Sequence, residues 1–410
     1  MAALLTEDAP GEIELSILMP CLNEAETLAA CIRKAQSYLE ERSGVSGEII
    51  IGDNGSIDGS REIAKGCRAR VIAIPLRGYG AALYGATQAA RGQYCIMGDS
   101  DDSYDFTNLD GFLEKLRAGY DLVMGNRFTG EIKPGAMPWK NRYIGNPVLS
   151  AIGKTLFRSP AGDFHCGLRG YSKAAFRRMD LRTTGMEYAS EMVIKATILN
   201  MRITEVPTTL SPDGRSRPPH LRPYRDGWRH LRFMLLFSPN WLFLYPGLAL
   251  VSLGLIIGGM ILRQPITVGG VRLSLDTLLY CGTSIVAGFQ AVLFSMLSRR
   301  YAMQEGLYPK AVAKGFSFWN LDLEWGLIIG FAILLTGVAT AVYAFFTWSQ
   351  HGFGELVTEH IARFVIPSSL AMSLGLEIIL SSFLTSTLAL SVRHHSTVPQ
   401  EEYNTATVAA

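Results

Sequence analysis

Four carboxylates fall within seven residues in the run Asp99-Ser100-Asp101-Asp102-Ser103-Tyr104-Asp105, just after the apolar stretch Tyr94–Met97. Like charges this close repel, and without a counter-cation each raises the pKa of its neighbours. A hard divalent cation relieves the repulsion and prefers oxygen ligands of this kind. Magnesium commonly binds through one or two carboxylates and completes its shell with substrate phosphates. The cluster therefore points to a diphosphate whose departure needs charge neutralisation.

Three further polar clusters close short apolar runs. Ile13–Met19 leads into Pro20-Cys21-Leu22-Asn23-Glu24, and Glu48–Ile51 into Asp53-Asn54-Gly55-Ser56-Ile57-Asp58-Gly59-Ser60. Val71–Ile74 leads into Arg77-Gly78-Tyr79-Gly80. Singly, these also suit a helix cap, a turn and a tight loop. With Leu122–Met124 added, the apolar runs alternate with helix-length segments at Ala25–Glu41, Ser60–Gly66 and Gly80–Ala90. That alternation predicts an α/β fold with a mostly parallel sheet and helices on both faces. Ligands of such sheets bind at the carboxyl ends of the strands, where the polar clusters fall.

Taken in this order and spacing, PCLNEAETL, DNGSIDGS, RGYGAA and GDSDD resemble the family-2 nucleotide-sugar glycosyltransferases. They are most similar to the polyprenyl-phosphate sugar synthases, and the resemblance runs from about Ser16 to Leu235. It implies a Rossmann-like glycosyltransferase-A domain. It also implies that Pro20 and Glu24 line the nucleotide pocket, that Asp53 contacts the base or ribose, and that Gly78 and Gly80 let a loop approach the nucleotide. Asp99 and Asp101 match the family's Asp-x-Asp, with Asp101 the principal ligand of Mg2+ or Mn2+. Some relatives place a Gln two residues further on. Ser103 stands there in this chain, so Ser103, Asp102 or water is the third ligand. Gly125-Asn126-Arg127-Phe128 and Asn141-Arg142-Tyr143 resemble the paired arginines that receive an acceptor phosphate. The run Asp213-Gly214-Arg215-Ser216-Arg217 resembles a flexible loop whose basic residue, here Arg217 instead of a common Lys, faces the diphosphate.

The rest of the chain is of another kind. Hydrophobic residues make up 48% of the sequence but concentrate beyond about residue 235. Trp241–Leu262, Thr277–Leu297, Trp325–Thr347 and Pro367–Val392 are each long enough to cross about 30 Å of hydrocarbon and show no polar stripe. An all-α membrane domain of four transmembrane helices is expected. Arg222, Arg225, Arg229 and Arg232 precede the first span, and Arg299, Arg300, Lys310 and Lys314 follow the second. The other loops hold only Arg263 with Arg272, and Arg363. This bias places both termini on the cytoplasmic side, in what is expected to be a bacterial inner membrane. The acidic first residues give no signal-peptide pattern. The six cysteines, without C-x-x-C or zinc-type spacing, suit a reducing compartment. Within His220–Phe237 the arginines lie on one helical face and Tyr224, Trp228, Leu231 and Leu235 on another, a basic amphipathic helix for the headgroup layer. Glu377, alone among apolar residues, is expected to be protonated and hydrogen-bonded to Ser or Thr on neighbouring spans. The expected divisions are 1–218 for catalysis, 219–240 for the juxtamembrane helix, 241–392 for the membrane domain and 393–410 for a cytosolic tail.

The expected chemistry is transfer of a hexose from a nucleotide-sugar, UDP-glucose ahead of GDP-mannose, to a polyprenyl phosphate. A phosphate monoester with a second pKa near 6 is already an anionic nucleophile and needs positioning by Arg127 and Arg142. In-line attack would invert the anomeric carbon through an oxocarbenium-like transition state, with Asp101 and Arg217 serving the departing diphosphate. The partners are the donor, the lipid and the membrane, with homo-oligomerisation possible and no nucleic acid. A processive polysaccharide synthase would carry a Gln-x-x-Arg-Trp element, which the sequence lacks. A hydroxyl acceptor would need a base, for which Asp163, Glu187 and Glu191 are available. A non-catalytic translocator or scaffold fits poorly with intact acidic and arginine sets.

Overall fold

The computed structural model describes residues 13–41, 44–216, 223–304, 308, 323–350 and 358–389. The chain forms two compact units, Met1–Pro246 with Phe294–Ser317, and Gly247–Leu293 with Phe318–Ala410.

The first unit is built on β1 (Leu15–Cys21), α1 (Leu28–Glu41), β2 (Gly47–Asp53), α2 (Ser60–Gly66), β3 (Arg70–Ala73), α3 (Tyr79–Ala89) and β4 (Tyr94–Met97). It continues through α4 (Asp110–Arg117), β5 (Leu122–Asn126), a π-helical turn (Asn141–Gly145), α5 (Asn146–Phe157) and β6 (Arg169–Ser172). Then come α6 (Lys173–Met179), α7 (Tyr188–Ile198), β7 (Ile203–Pro207) and α8 (Pro223–Leu236). The strands form one sheet in the order β3-β2-β1-β4-β6-β5-β7. Every pairing is parallel except the two made by β6. This is the mostly parallel glycosyltransferase-A arrangement.

Strand alternation explains the two cores. Leu18, Ile50, Met97 and Met124 pack with α3 and α7 on one face, and Ile17, Met19, Ile49 and Ile51 with α1 on the other. Register then sets the site: Cys21 lies opposite Asp53, and Leu18 opposite Met97. Three polar clusters therefore emerge at one edge of the sheet. Two strands escape the apolar-run reading. β6 contains Arg169 and Gly170, and β7 contains Glu205 and Pro207. Arg169 is fully buried all the same, because the backbone carbonyls of Cys166, Phe164 and Ala189 accept its guanidinium protons.

The second unit holds α9 (Tyr245–Arg263), a hairpin of β8 (Ile266–Val268) and β9 (Val271–Leu273), much of α10 (Leu275–Gln304), α11 (Leu323–Gln350) and α12 (Thr358–Ala389). Among the described residues four helices are long and apolar enough to cross a membrane: Asn240–Arg263, Leu275–Gln304, Leu323–Gln350 and Ile361–Leu388. Two are longer than the apolar runs suggest. α10 carries Arg299 and Arg300 on its last turns instead of in a loop, since nothing from Arg299 to Gln304 breaks a helix. α12 begins well before Pro367 and takes that proline internally. Glycines let α11 and α12 approach: a Cβ at Gly330 or Gly375 would meet the partner helix's backbone within 3.0 Å. Oε2 of Glu377 is buried with no hydrogen-bond partner, so the expected Ser or Thr contact is not found among the described residues. Arg217, Arg222, Lys310, Lys314 and the 393–410 tail lie outside those residues.

Candidate active site

The carboxylates of the acidic cluster diverge. Asp99 and Asp101 line a cleft of about 890 Å3 at the carboxyl edge of the sheet. Asp102, in left-handed backbone at φ 64°, turns instead to Lys34 Nζ at 2.8 Å. Asp105 accepts from the amide and hydroxyl of Thr107. Of the four like charges, only Asp99 and Asp101 share one space.

That pair is held with care. Asp101 Oδ1 accepts from Ser103 N at 3.1 Å and from Ser103 Oγ at 2.6 Å. Ser103 thus fixes the orientation of Asp101, with its own proton committed. Asp99 Oδ1 accepts from the Tyr79 hydroxyl at 3.0 Å. Burial, and then the charge of Asp101, push the Asp99 carboxyl up to about 6. A Cβ at Gly167 would lie 2.5 Å from Asp99 Oδ2, so only glycine leaves this carboxylate its place.

The rest of the cleft is assembled from separate elements. Pro20, Glu24, Asn54 and Gly78 line it. Ser100 Oγ donates to Pro20 O and Thr27 Oγ1 to Ser100 O, both at 2.7 Å, tying the end of β1 to the acidic turn. Arg215 enters from the chain after β7: its Nε is 2.8 Å from Glu24 Oε2, and its Nη2 is 3.3 Å from Asp101 Oδ2. The amides of Ser211 and Gly214 anchor that segment on Ser103 O and Asp101 O.

Several expected site residues do other work. Asp53 is buried and does not line the cleft. It accepts from the amides of Gly55 and Ser56 and from Arg61 Nε at 2.5 Å. Burial alone would raise its carboxyl, but the bonds from Ser56, Arg61 and the amides outweigh this and hold it below the ordinary carboxylate range. Gly78, at φ 138°, and Gly80 leave room for the chain beneath: their Cβ atoms would meet Thr184 O at 2.2 Å and Thr183 O at 2.7 Å. Arg127 is buried, with Nε and Nη2 on the two Asp163 oxygens at 2.6 and 2.8 Å. Arg142 sits on the π-helical turn with its guanidinium over the Tyr143 ring. Neither arginine lines the cleft that holds Asp101. Of the three candidate bases, only Glu187 does. Asp163 is taken by Arg127, and Glu191 is buried, accepting from Lys195 and from the amides of Arg182 and Thr183.

The donor chemistry fits a divalent ion. Asp99 and Asp101 face one cleft, burial and the neighbouring charge raise the Asp99 carboxyl, and a cation would relieve both costs. Among the described residues no group of three His, Cys, Asp or Glu side chains converges as a complete protein cage. A two-carboxylate site suits an ion that shares its shell with substrate phosphates.

Residues 16–180 match the family described as Glycosyl transferase family 2, and residues 296–389 match Glycosyltransferase family 2 C-terminal transmembrane region. The chain is 36% identical to the Low-salt glycan biosynthesis hexosyltransferase Agl6 of Haloferax volcanii, over 94% of this chain and 91% of that one. The chain belongs to glycosyltransferase family 2. It is an integral membrane glycosyltransferase. A second relative of this family-2 enzyme, the Dolichyl-phosphate hexose transferase of the same organism, is 29% identical over 47% of this chain and 81% of its own length. Among solved structures, the glucosyl-3-phosphoglycerate synthase of Mycobacterium tuberculosis in complex with Mn2+ and UDP-glucose aligns with a TM-score of 0.44 and 22% identity. That alignment covers 55% of this chain and 79% of the other.

Tyr79, Arg215 and the cleft-facing residues of α8 were not singled out from the sequence as parts of this site. Tyr79 lies inside the RGYG motif and Arg215 two positions before Arg217, so their motifs were visible although their roles were not.

Proposed function

We propose that this glycosyltransferase moves a hexose from a nucleoside diphosphate sugar, UDP-glucose ahead of GDP-mannose, to a membrane polyprenyl phosphate. The carrying observation is that one cleft is lined both by Asp99, Asp101 and Arg215 and by Arg225, Arg229 and Phe233 of α8. α8 is separated by three residues, Phe237–Pro239, from the first membrane span. A soluble acceptor would have no need of that helix.

Asp99 and Asp101 would hold Mg2+ or Mn2+ against the donor diphosphate, and the ion would supply charge neutralisation for the leaving group. Glu24, Asn54 and Gly78 shape the nucleotide end. Arg215, now on Glu24 and Asp101, is within reach of a diphosphate bound there, and Arg217 is proposed to assist. A phosphate oxygen forms the bond to the anomeric carbon, the carbon–oxygen bond to the diphosphate breaks, and the nucleoside diphosphate leaves with both bonding electrons. Configuration inverts. The motif resemblance supplies Arg127 and Arg142 for the acceptor phosphate, but neither lines the cleft that holds Asp101, so they are not proposed as its direct ligands. We place the catalytic unit and both termini on the cytoplasmic side, on the Lys and Arg bias of the loops.

Glu187 in the cleft favours a second reading, in which a hydroxyl acceptor loses its proton to that carboxylate. A donor screen on the purified full chain decides. Radiolabelled sugar should move into the lipid phase with polyprenyl phosphate and not with the matching polyprenol, and an α-linked donor should give a β-linked product. Transfer to the polyprenol alone, or an α-linked product, would overturn the proposal.

A further inference from the structure

We infer that the acceptor's phosphate head is received by Arg225 and Arg229 of α8, which line the same cleft as Arg182. This rests on the phosphate-acceptor reading above and assigns its site to residues outside the family motifs.

Arg225, Arg229 and Phe233 recur every fourth residue, and all three line the cleft, so one stripe of α8 faces it. The rotation of the helix is fixed from another side. His230 is buried, and its Nδ1 lies 2.9 Å from Oγ of fully buried Ser190. Arg232 is exposed and does not line the cleft. α8 is thus not only a basic surface for lipid headgroups, because two of its arginines belong to the wall of the substrate cleft.

The present partner of Arg229 shows what chemistry the place accepts. Its Nε and Nη2 sit on the two Glu187 oxygens at 2.8 and 3.0 Å, a fork that matches carboxylate and phosphate alike. Arg182, held by Asp180 at 2.7 Å, adds a third guanidinium to this end. Among these side chains the three guanidiniums outnumber the carboxylates Glu187 and Asp180. Arg215 does not compete for this role, being bound to Glu24 and Asp101 at the donor end. Phe233 and Met186 give the same end an apolar surface for the carbons next to a lipid phosphate. Phosphate dianion with an apolar tail is the ligand that this end fits.

The test uses the full chain in nanodiscs with saturating donor and a short-chain polyprenyl phosphate. Arg229→Ala and Arg225→Ala should each raise the acceptor KM about tenfold or more, while the affinity for the nucleoside diphosphate is kept. Arg229→Lys should recover only part, because an ammonium cannot form the fork. Arg232→Ala on the same helix should leave KM as in the wild type. Inorganic phosphate should compete with the acceptor in the wild type and more weakly in Arg229→Ala. Binding to anionic vesicles without polyprenyl phosphate separates the sources: a loss there that matches the KM change would assign the arginines to bulk headgroups and overturn the inference. Unchanged acceptor KM in Arg229→Ala and Arg225→Ala also overturns it. If Arg229→Ala fails to fold, Arg229→Lys carries the decision through KM and phosphate competition. A wild type that labels no lipid phosphate refutes the functional reading itself, whereas a wild type that labels it with insensitive variants refutes only this site.

Discussion

Carboxylates on the two sides of the catalytic sheet are held in different ways. Beside β1, β2 and β4 several are satisfied by neighbours in sequence, Asp53 by the amides of Gly55 and Ser56, Asp58 by Ser60, Asp101 by Ser103 and Asp105 by Thr107, while Glu24 and Asp102 reach Arg215 and Lys34. Beyond β5 many reach distant partners: Asp163 pairs with Arg127, Glu187 with Arg229, and Glu205 with Asn126 and the amides of Gly162 and Asp163. The short turn at Ser103 leaves Asp101 in the cleft. Long-range pairs consume carboxylate oxygens to fix the wall. The donor chemistry is proposed for the first side, and shape with acceptor binding for the second.

The largest break in this contrast should come from Asp101→Asn. The substitution keeps a side chain able to accept from Ser103 but halves the charge of the Asp99–Asp101 pair. Transfer should fall by roughly 10⁴-fold, about 5 kcal/mol at 1.36 per decade, with the melting midpoint little changed. Activity within tenfold of wild type would remove the acidic pair from catalysis.

Asp163→Ala tests the other side. It strands the Arg127 guanidinium, whose side chain is 9% exposed, without its carboxylate. Breaking such a buried pair costs about 3–5 kcal/mol, so the melting midpoint should drop steeply. The sharper experiment replaces both, Arg127→Met with Asp163→Leu, since well-packed apolar residues often substitute for a buried ion pair without loss. Recovered stability with recovered transfer would make the pair part of the wall. Recovered stability without transfer would return Arg127 to the acceptor phosphate.

The same contrast explains what was legible in the sequence. Turn-held carboxylates sit in contiguous motifs, so the acidic pair was legible from local pattern, as were the first five strands and the four spans from their apolar runs. Arg215 meets Glu24 across 191 positions and Arg229 meets Glu187 across 42, and no spacing rule announces such encounters. β6 was hidden because its buried Arg169 is satisfied by backbone carbonyls that only the fold brings near. Arg217 was favoured over Arg215 by resemblance alone, and among the described residues it is Arg215 that reaches the cleft.

Gly78→Ala probes the contact between the sides, since the loop after β3 rests on the Thr183–Gly185 segment that leads into α7. At φ 138°, with Thr184 O 2.2 Å from an added Cβ, alanine must move backbone on one side or the other. Strain of about 1–3 kcal/mol is expected, read as weaker nucleoside diphosphate binding. Unaltered binding would show that the loop shifts without disturbing the cleft.

The smallest effect expected isolates one buried group on the wall side. His165 has neither ring nitrogen hydrogen-bonded, and its ring centroid lies 4.7 Å from that of His230. Burial first, then His230, Arg169 and Arg127, hold its pKa well below 6.5. The folded protein therefore keeps His165 neutral where the unfolded chain protonates it. Stability from this group is complete above about pH 6.5 and is lost as pH falls, reaching about 1.4 kcal/mol at pH 5.5. His165→Phe removes the titration while keeping a ring beside Phe164 and His230. The gap between melting midpoints at pH 7.5 and 5.5 should narrow in the variant by an amount matching that figure, whatever happens to the absolute midpoint. An equal gap in both proteins would mean that His165 acquires a proton in the folded state at little cost, and that the wall is more open to water than its buried arginine and histidine imply.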